Sequence, residues 1–179
     1  MNTTLRQSEA IRLEIDFLPD SQPLYLRLLR SIAWDERMQA RKAASFGVPY
    51  NYSGICWPAI PFPDFLLPVL EQVIERVGYS PNNCLAHYYP DGGSSMGFHS
   101  DSTDELGPGT GIAIVSLGVE RIITFRSQSD KKVREEYALP GGSLLFMTSE
   151  MQRDWKHAIL PTDQSAGGRI SLTFRQMRA

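Results

Sequence analysis

Cysteine is nearly absent from this 179-residue chain, with Cys56 and Cys84 the only two. Two thiols cannot build a disulfide framework, so a reduced, cytoplasmic protein is expected, with one Cys56–Cys84 bond left open. No run approaches the length of a membrane helix, and the stretch from Met1 to Asp16 mixes acids, arginine and polar residues. Both features argue against a membrane span and an obvious signal peptide. Positive charge is not in excess either: 18 Lys and Arg face 20 Asp and Glu, a net charge of -2. That balance predicts no strong non-specific pull toward nucleic acid, although local basic clusters could still supply a groove. Repeats, low-complexity tracts and linkers are missing as well. A single domain over residues 1–179, acting as a monomer, is the expectation.

What is present changes character along the chain. Residues 1–20 read as an arm with an edge strand over 11–17, where Ile11, Leu13, Ile15 and Phe17 alternate with polar neighbours. Leu24, Leu28 and Leu29 stripe a helix over 22–33, and Pro23 suits its first turn. Residues 37–63 are rich in Pro, Gly, Tyr and Trp and read as ordered loops and short strands. A second helix is expected over 68–77, stopped by Gly78. Short strands follow, at 84–89, 111–117, 121–126, 136–139, 143–147, 156–160 and 168–174, separated by Pro/Gly turns. Helices first and strands afterwards predict a mostly β, α+β barrel-like sandwich with helices on one face.

Histidine is scarce too, at three residues, and two of them carry the chemistry. His99-Ser100-Asp101 places two ligand-type side chains two positions apart, on one face if they end a strand. His157 lies in a separate strand candidate, where it could reach the same ion from the opposite wall. Two imidazoles and a carboxylate with open positions suit non-heme Fe(II) oxygen chemistry. The competing reading is a surface turn pair and a satisfied core histidine. Counting does not dismiss it.

Arg169-Ile-Ser-Leu-Thr-Phe-Arg175 has period two, which puts Arg169, Ser171, Thr173 and Arg175 on one face. Arginines facing a barrel interior need an anion, because an unpaired buried charge is costly, and a dicarboxylate gripped by a guanidinium would serve. The bland alternative turns one or both to solvent.

Taken in order, these pieces resemble the AlkB family of Fe(II)- and 2-oxoglutarate-dependent dioxygenases. The resemblance runs from Arg41 to Arg175. It takes in the stretch from Phe46 to Gly54, Tyr89-Pro90-Asp91-Gly92, Met96 to Asp101, and Ser116-Leu117-Gly118 with Arg121. Gly142 to Met147, then Gln152, Trp155 and His157, and Arg169 to Arg175 complete it. The resemblance implies a double-stranded β-helix (jelly-roll) core, Fe(II) on His99, Asp101 and His157, and 2-oxoglutarate and O2 as co-substrates. Arg169 would meet the distal carboxylate with help from Tyr89, and Arg175, His87 and Ser171 would complete the co-substrate surroundings. The arm and substrate-covering segment would occupy about residues 1–63, with Tyr50, Tyr52, Arg41 and Trp57 facing substrate beside Asp104 and Glu105.

Three positions depart from the family pattern. His87 stands where asparagine is usual, Ser171 replaces another asparagine, and the acids that often follow the iron aspartate are displaced to Asp104 and Glu105. The activity implied is oxidative demethylation of N-alkylated bases in single-stranded DNA or RNA. Phosphate contacts are expected from Arg37, Arg41 and Lys42, or from Lys131, Lys132 and Arg134. Two alternatives stand beside it: hydroxylation or demethylation of a small molecule or protein side chain, and a non-catalytic binding protein.

Overall fold

A computed structural model describes residues 10–52, 54–164 and 167–178. Ten of its strands form two antiparallel sheets, and two others make a small hairpin. The larger sheet holds β1 (Ile11–Glu14), β2 (Lys42–Gly47), β5 (Asn83–Tyr89), β7 (Gly111–Gly118), β10 (Leu144–Thr148) and β12 (Arg169–Arg175). Their spatial order is β1-β10-β7-β12-β5-β2. The smaller sheet holds β6 (Met96–His99), β8 (Arg121–Ser127), β9 (Arg134–Leu139) and β11 (Trp155–Ile159), in the order β6-β11-β8-β9. The hairpin is β3 (Tyr50–Tyr52) with β4 (Ile55–Trp57).

Period-two alternation gives the larger sheet two different faces. On β12, Ile170, Leu172 and Phe174 point one way and join Leu28, Val69 and Val73 of the helices in one apolar cluster. Those helices are α1 (Gln22–Ser31) and α2 (Leu67–Val77). The other face contributes Leu85, Ile112 and Ile114 to a second cluster, which Ile123, Phe125 and Ile159 of the smaller sheet complete. The core is therefore layered: helices, large sheet, small sheet. Arg169, Ser171, Thr173 and Arg175 fall on the face between the sheets, as their alternation predicts.

Local signals set the boundaries. Proline occupies the first turn of both α1 and α2, where its missing N–H costs no hydrogen bond. Gly78 ends α2 in the left-handed region at φ 78°, with its N–H donating to the Ile74 carbonyl. The edge strand expected over 11–17 ends at Glu14, and Ile15 is 57% exposed because the chain turns there. Weak periodicity in residues 37–63 conceals β2, a full strand of the large sheet whose Ala43, Ala44 and Ser45 are too small to announce themselves. A short α3 (Met151–Asp154) leads into β11. Cys56 is exposed and Cys84 buried, and both are free, so the disulfide left open above does not form.

Candidate metal and co-substrate site

His99 ends β6 and His157 sits in β11, directly opposite it in the antiparallel register. Pairing brings their ring centroids to 4.3 Å. Asp101 follows two residues after His99, so its carboxylate returns to the same face. One ligand atom from each of the three lies within 4.8 Å of the others. His99 Nε2 is 3.5 Å from Asp101 Oδ1. Nδ1 of His99 lies 2.9 Å from the Gly97 carbonyl, a contact that orients the ring with Nε2 toward Asp101.

The surroundings hold these groups in ligand form. Arg175 Nη2 donates to Asp101 Oδ2 at 2.7 Å, leaving Oδ1 on the side of the histidines. Burial opposes ionisation of Asp101, yet the Arg175 guanidinium and the two imidazoles outweigh it and hold the carboxyl well below its usual range. Burial lowers the pKa of His157 to about 4, which keeps the ring neutral near pH 7. Gln152 Oε1 accepts the Asp101 backbone N–H at 3.0 Å, and Ser100 Oγ donates to the Trp155 carbonyl at 3.1 Å. The ligand loop is thus fastened at both ends of the short helix α3.

Arg169 is 1% exposed and donates from Nη2 to Ser116 Oγ at 2.9 Å. Its Nε and Nη1 are buried without an acceptor. The Tyr89 ring lies 5.3 Å from the guanidinium carbon. Arg175 also has two unpaired nitrogens, Nε and Nη1, and His87 has an unpaired Nε2. A cavity lined by the triad, Arg169, Ser171, Thr173, Arg175, Tyr89 and His87 joins these orphaned donors. Buried donors without acceptors call for an oxyanion. The residues present therefore fit a divalent metal chelated by a dicarboxylate.

Burial, followed by the charges of Arg41 and Arg175, lowers the pKa of His87 well below the ordinary value, so its ring is neutral. His87 is paired with Ser171 across β5 and β12, so two departures from the family pattern face one another. A larger ring opposite a smaller hydroxyl is a volume exchange at one spot.

The substrate-side residues scatter more. Tyr52 lines the cavity, stacks on Tyr50 at 6.5 Å and 12°, and accepts a hydrogen bond from Arg41 Nη2 at 3.1 Å. Arg41 Nη1 also donates to the Ser95 carbonyl, tying the hairpin strand to the β5–β6 loop. Tyr50 is 8% exposed and lies under the Arg175 guanidinium at 5.2 Å. Trp57, read above as facing substrate, is 5% exposed and belongs to the core between the sheets, outside the cavity lining. Asp104 and Glu105 are exposed on the loop after Asp101 and do not line the cavity. Arg37 pairs with Asp35, and Lys42 with Glu36, so those cations are already matched.

Sequence reasoning missed the anchoring roles of Ser116 and Gln152. Ser116 had a signal: a hydroxyl inside the apolar strand β7, on the same face as Ser171 opposite it. Gln152 had only its place in the resemblance, because the reach from α3 to Asp101 is tertiary.

A three-ligand metal cluster beside an unmatched guanidinium defines an iron centre built to take a 2-oxo acid. Comparison with known proteins agrees: the family model of the 2OG-Fe(II) oxygenase superfamily matches residues 24–175, and this chain belongs to that superfamily. It is closely related to AlkB-family dioxygenases. Mouse DNA oxidative demethylase ALKBH2 is 33% identical over 151 residues, covering 76% of this chain and 62% of that protein. Uncharacterized protein R406 of Acanthamoeba polyphaga mimivirus is 32% identical over 143 residues, covering 79% of this chain and 74% of its own length. The chain thus spans less than two thirds of the named mammalian relative. Among solved structures, that of OsALKBH1 superposes with a TM-score of 0.72 at 18% identity, over 93% of this chain and 98% of the other, which speaks to fold.

Proposed function

We propose that this chain is an Fe(II)- and 2-oxoglutarate-dependent dioxygenase that oxidatively demethylates N-alkylated bases in single-stranded DNA or RNA. The observation that carries the chemistry is Arg169, a wholly buried cation with two free donors in the same cavity as the triad. The two sheets are read as the halves of a double-stranded β-helix, within one cytoplasmic domain. When bound, Fe(II) with 2-oxoglutarate and O2 would couple oxidative decarboxylation to succinate and carbon dioxide with hydroxylation of a substrate C–H bond, each product taking one oxygen atom, and a hydroxylated N-methyl group would depart as formaldehyde.

The chain's own residues have separate tasks. His99, Asp101 and His157 hold the metal, and Arg175 keeps Asp101 ionised and aimed. Arg169, set by Ser116, receives the distal carboxylate beside Tyr89, while His87 and Ser171 border the rest of the co-substrate. Leu85, Ile114, Ile123 and Ile159 give the cavity apolar walls, which limit water at the reacting carbon. Tyr52, held by Arg41 and stacked on Tyr50, is the flat group best placed to meet an extruded base. The name of the mouse relative supports a nucleic-acid substrate.

A second reading, action on a small molecule or protein side chain, draws on the exposed positions of Asp104 and Glu105 and the matched charges of Arg37 and Lys42. The deciding experiment incubates the protein with Fe(II), 2-oxoglutarate and methylated single-stranded oligonucleotides. Loss of the methyl mass with matching succinate and formaldehyde is expected. Succinate formation without any change in oligonucleotide mass would favour the second reading.

A further inference from the structure

Strand alternation has a second consequence for the smaller sheet. Because His99, His157, Phe125 and Glu135 face the core side, their neighbours Phe98, Lys156, Arg126 and Arg134 face outward. Register then aligns the charges: Lys156 is opposite Arg126, and Arg126 is opposite Arg134. Three cations thus stand in one row across β11, β8 and β9. Like charges directly opposite one another destabilise a sheet, so the row needs an explanation.

None of the three donates to or pairs with an oxygen acceptor among the described residues. Of the carboxylates nearby, Glu136 shares the outer face of β9 and accepts the Thr124 hydroxyl at 3.2 Å, Asp130 accepts the Lys132 backbone N–H, and Asp154 pairs with Arg153. Instead, Phe98 at the β6 end holds the guanidiniums, with Arg126 at 3.9 Å and Arg134 at 5.6 Å from its ring centroid. A guanidinium resting on an aromatic face keeps its N–H edge free for an oxyanion. Lys131 and Lys132, exposed in the β8–β9 turn, extend the same end of the sheet. Neighbouring strands lie roughly 5 Å apart, and the Arg126 and Arg134 side chains both lean onto the Phe98 ring, so their guanidiniums gather at one place on the outer face. All this occurs on a chain whose net charge is -2.

We propose that the outer face of the smaller sheet, through Lys156, Arg126 and Arg134 on their Phe98 support, binds the sugar-phosphate backbone of the single-stranded substrate. This rests on the nucleic-acid reading above and adds to it a backbone contact away from the base cavity. The sheet's inner side would hold the metal ligands, and its outer side the polymer flanking the target base.

The test uses the double variant Arg126→Gln/Arg134→Gln, with Arg126→Lys/Arg134→Lys as the charge-keeping control. Binding of a short methylated single-stranded oligonucleotide is followed by fluorescence anisotropy across a salt series. Each lost phosphate contact on a single strand flattens the plot of log affinity against log salt by about 0.7, so the glutamine pair is expected to flatten it by about 1.4. The lysine pair should keep the wild-type slope. Succinate production with a free methylated nucleoside should be equal in all three proteins, which also verifies folding. Equal slopes in wild type and the glutamine pair overturn this inference and leave the demethylase reading standing. Wild type that neither binds nor demethylates any oligonucleotide overturns both. Loss of binding to phosphatidylserine vesicles with oligonucleotide binding intact would make the face a membrane contact and also overturn it.

Discussion

Arg169 and Arg175 occupy the two ends of one strand, on one face, both buried, and they differ in what they meet. Arg175 is matched: its Nη2 holds Asp101 at 2.7 Å. Arg169 meets the Ser116 hydroxyl and Tyr89 but no carboxylate, although each arginine keeps its Nε and Nη1 without an acceptor. A buried cation without a carboxylate is a standing cost in the folded state, since partners make such charges tolerable. The difference separates two tasks that look alike in sequence. One arginine maintains a metal ligand, and the other waits for an anion that the protein does not itself supply.

Asp101→Ala should do the most damage. It removes a metal ligand and strips Arg175 of its partner, so iron binding and 2-oxoglutarate turnover are lost and stability falls by about 3–5 kcal/mol. Denaturant titration with a metal assay checks both effects.

Replacing each arginine by methionine sharpens the contrast most. Arg175→Met leaves Asp101 buried and unpaired, and about 3 kcal/mol of stability should go. Arg169→Met, by removing an unmatched charge, should leave the metal-free protein about as stable as before or more so, while weakening 2-oxoglutarate binding about thirtyfold or more. Calorimetric titration with 2-oxoglutarate in the presence of Mn(II), beside thermal melts, reads both. Equal destabilisation by the two substitutions would erase the distinction.

Acid should act next. His157 and His87 have pKa values lowered by burial, His157 to about 4. As pH falls below about 6.5, the unfolded chain takes up protons that the folded, metal-free chain refuses, so stability declines toward pH 4. The loss is on the order of 3 kcal/mol for His157 alone. Asp101 adds its own loss below its ordinary pKa of 3.8, since its folded value is depressed. Melts of metal-free protein over this range are the measurement, and a flat profile would mean the imidazoles are not buried neutral. Lys42→Gln, which breaks an exposed pair with Glu36, should change stability by no more than about 0.5 kcal/mol and leave oligonucleotide binding intact.

Much of this site is legible in the amino-acid sequence. Period two alone set Arg169, Ser171, Thr173 and Arg175 on one face, and His99-x-Asp101 needed only a strand end. The resemblance supplied the convergence of His157, which local pattern cannot give because β7 to β10 and α3 intervene between β6 and β11. The rim was harder to read. Trp57 looks like Tyr52 in sequence, yet one packs the core and the other lines the cavity, since a three-residue strand gives alternation too little length to declare itself. β2 stayed hidden because alanine and serine carry almost no periodic signal. Of the cation row on the smaller sheet only Arg134 is named from the sequence, because its alignment with Arg126 and Lys156 exists only through register, which no single strand encodes.

The most direct test is iron-dependent conversion of 2-oxoglutarate to succinate by wild type, His99→Ala and Arg169→Met. Turnover is expected in wild type, none in His99→Ala, and in Arg169→Met only at much higher 2-oxoglutarate. Unchanged turnover in His99→Ala, or unchanged co-substrate dependence in a folded Arg169→Met, would contradict the division of labour drawn here.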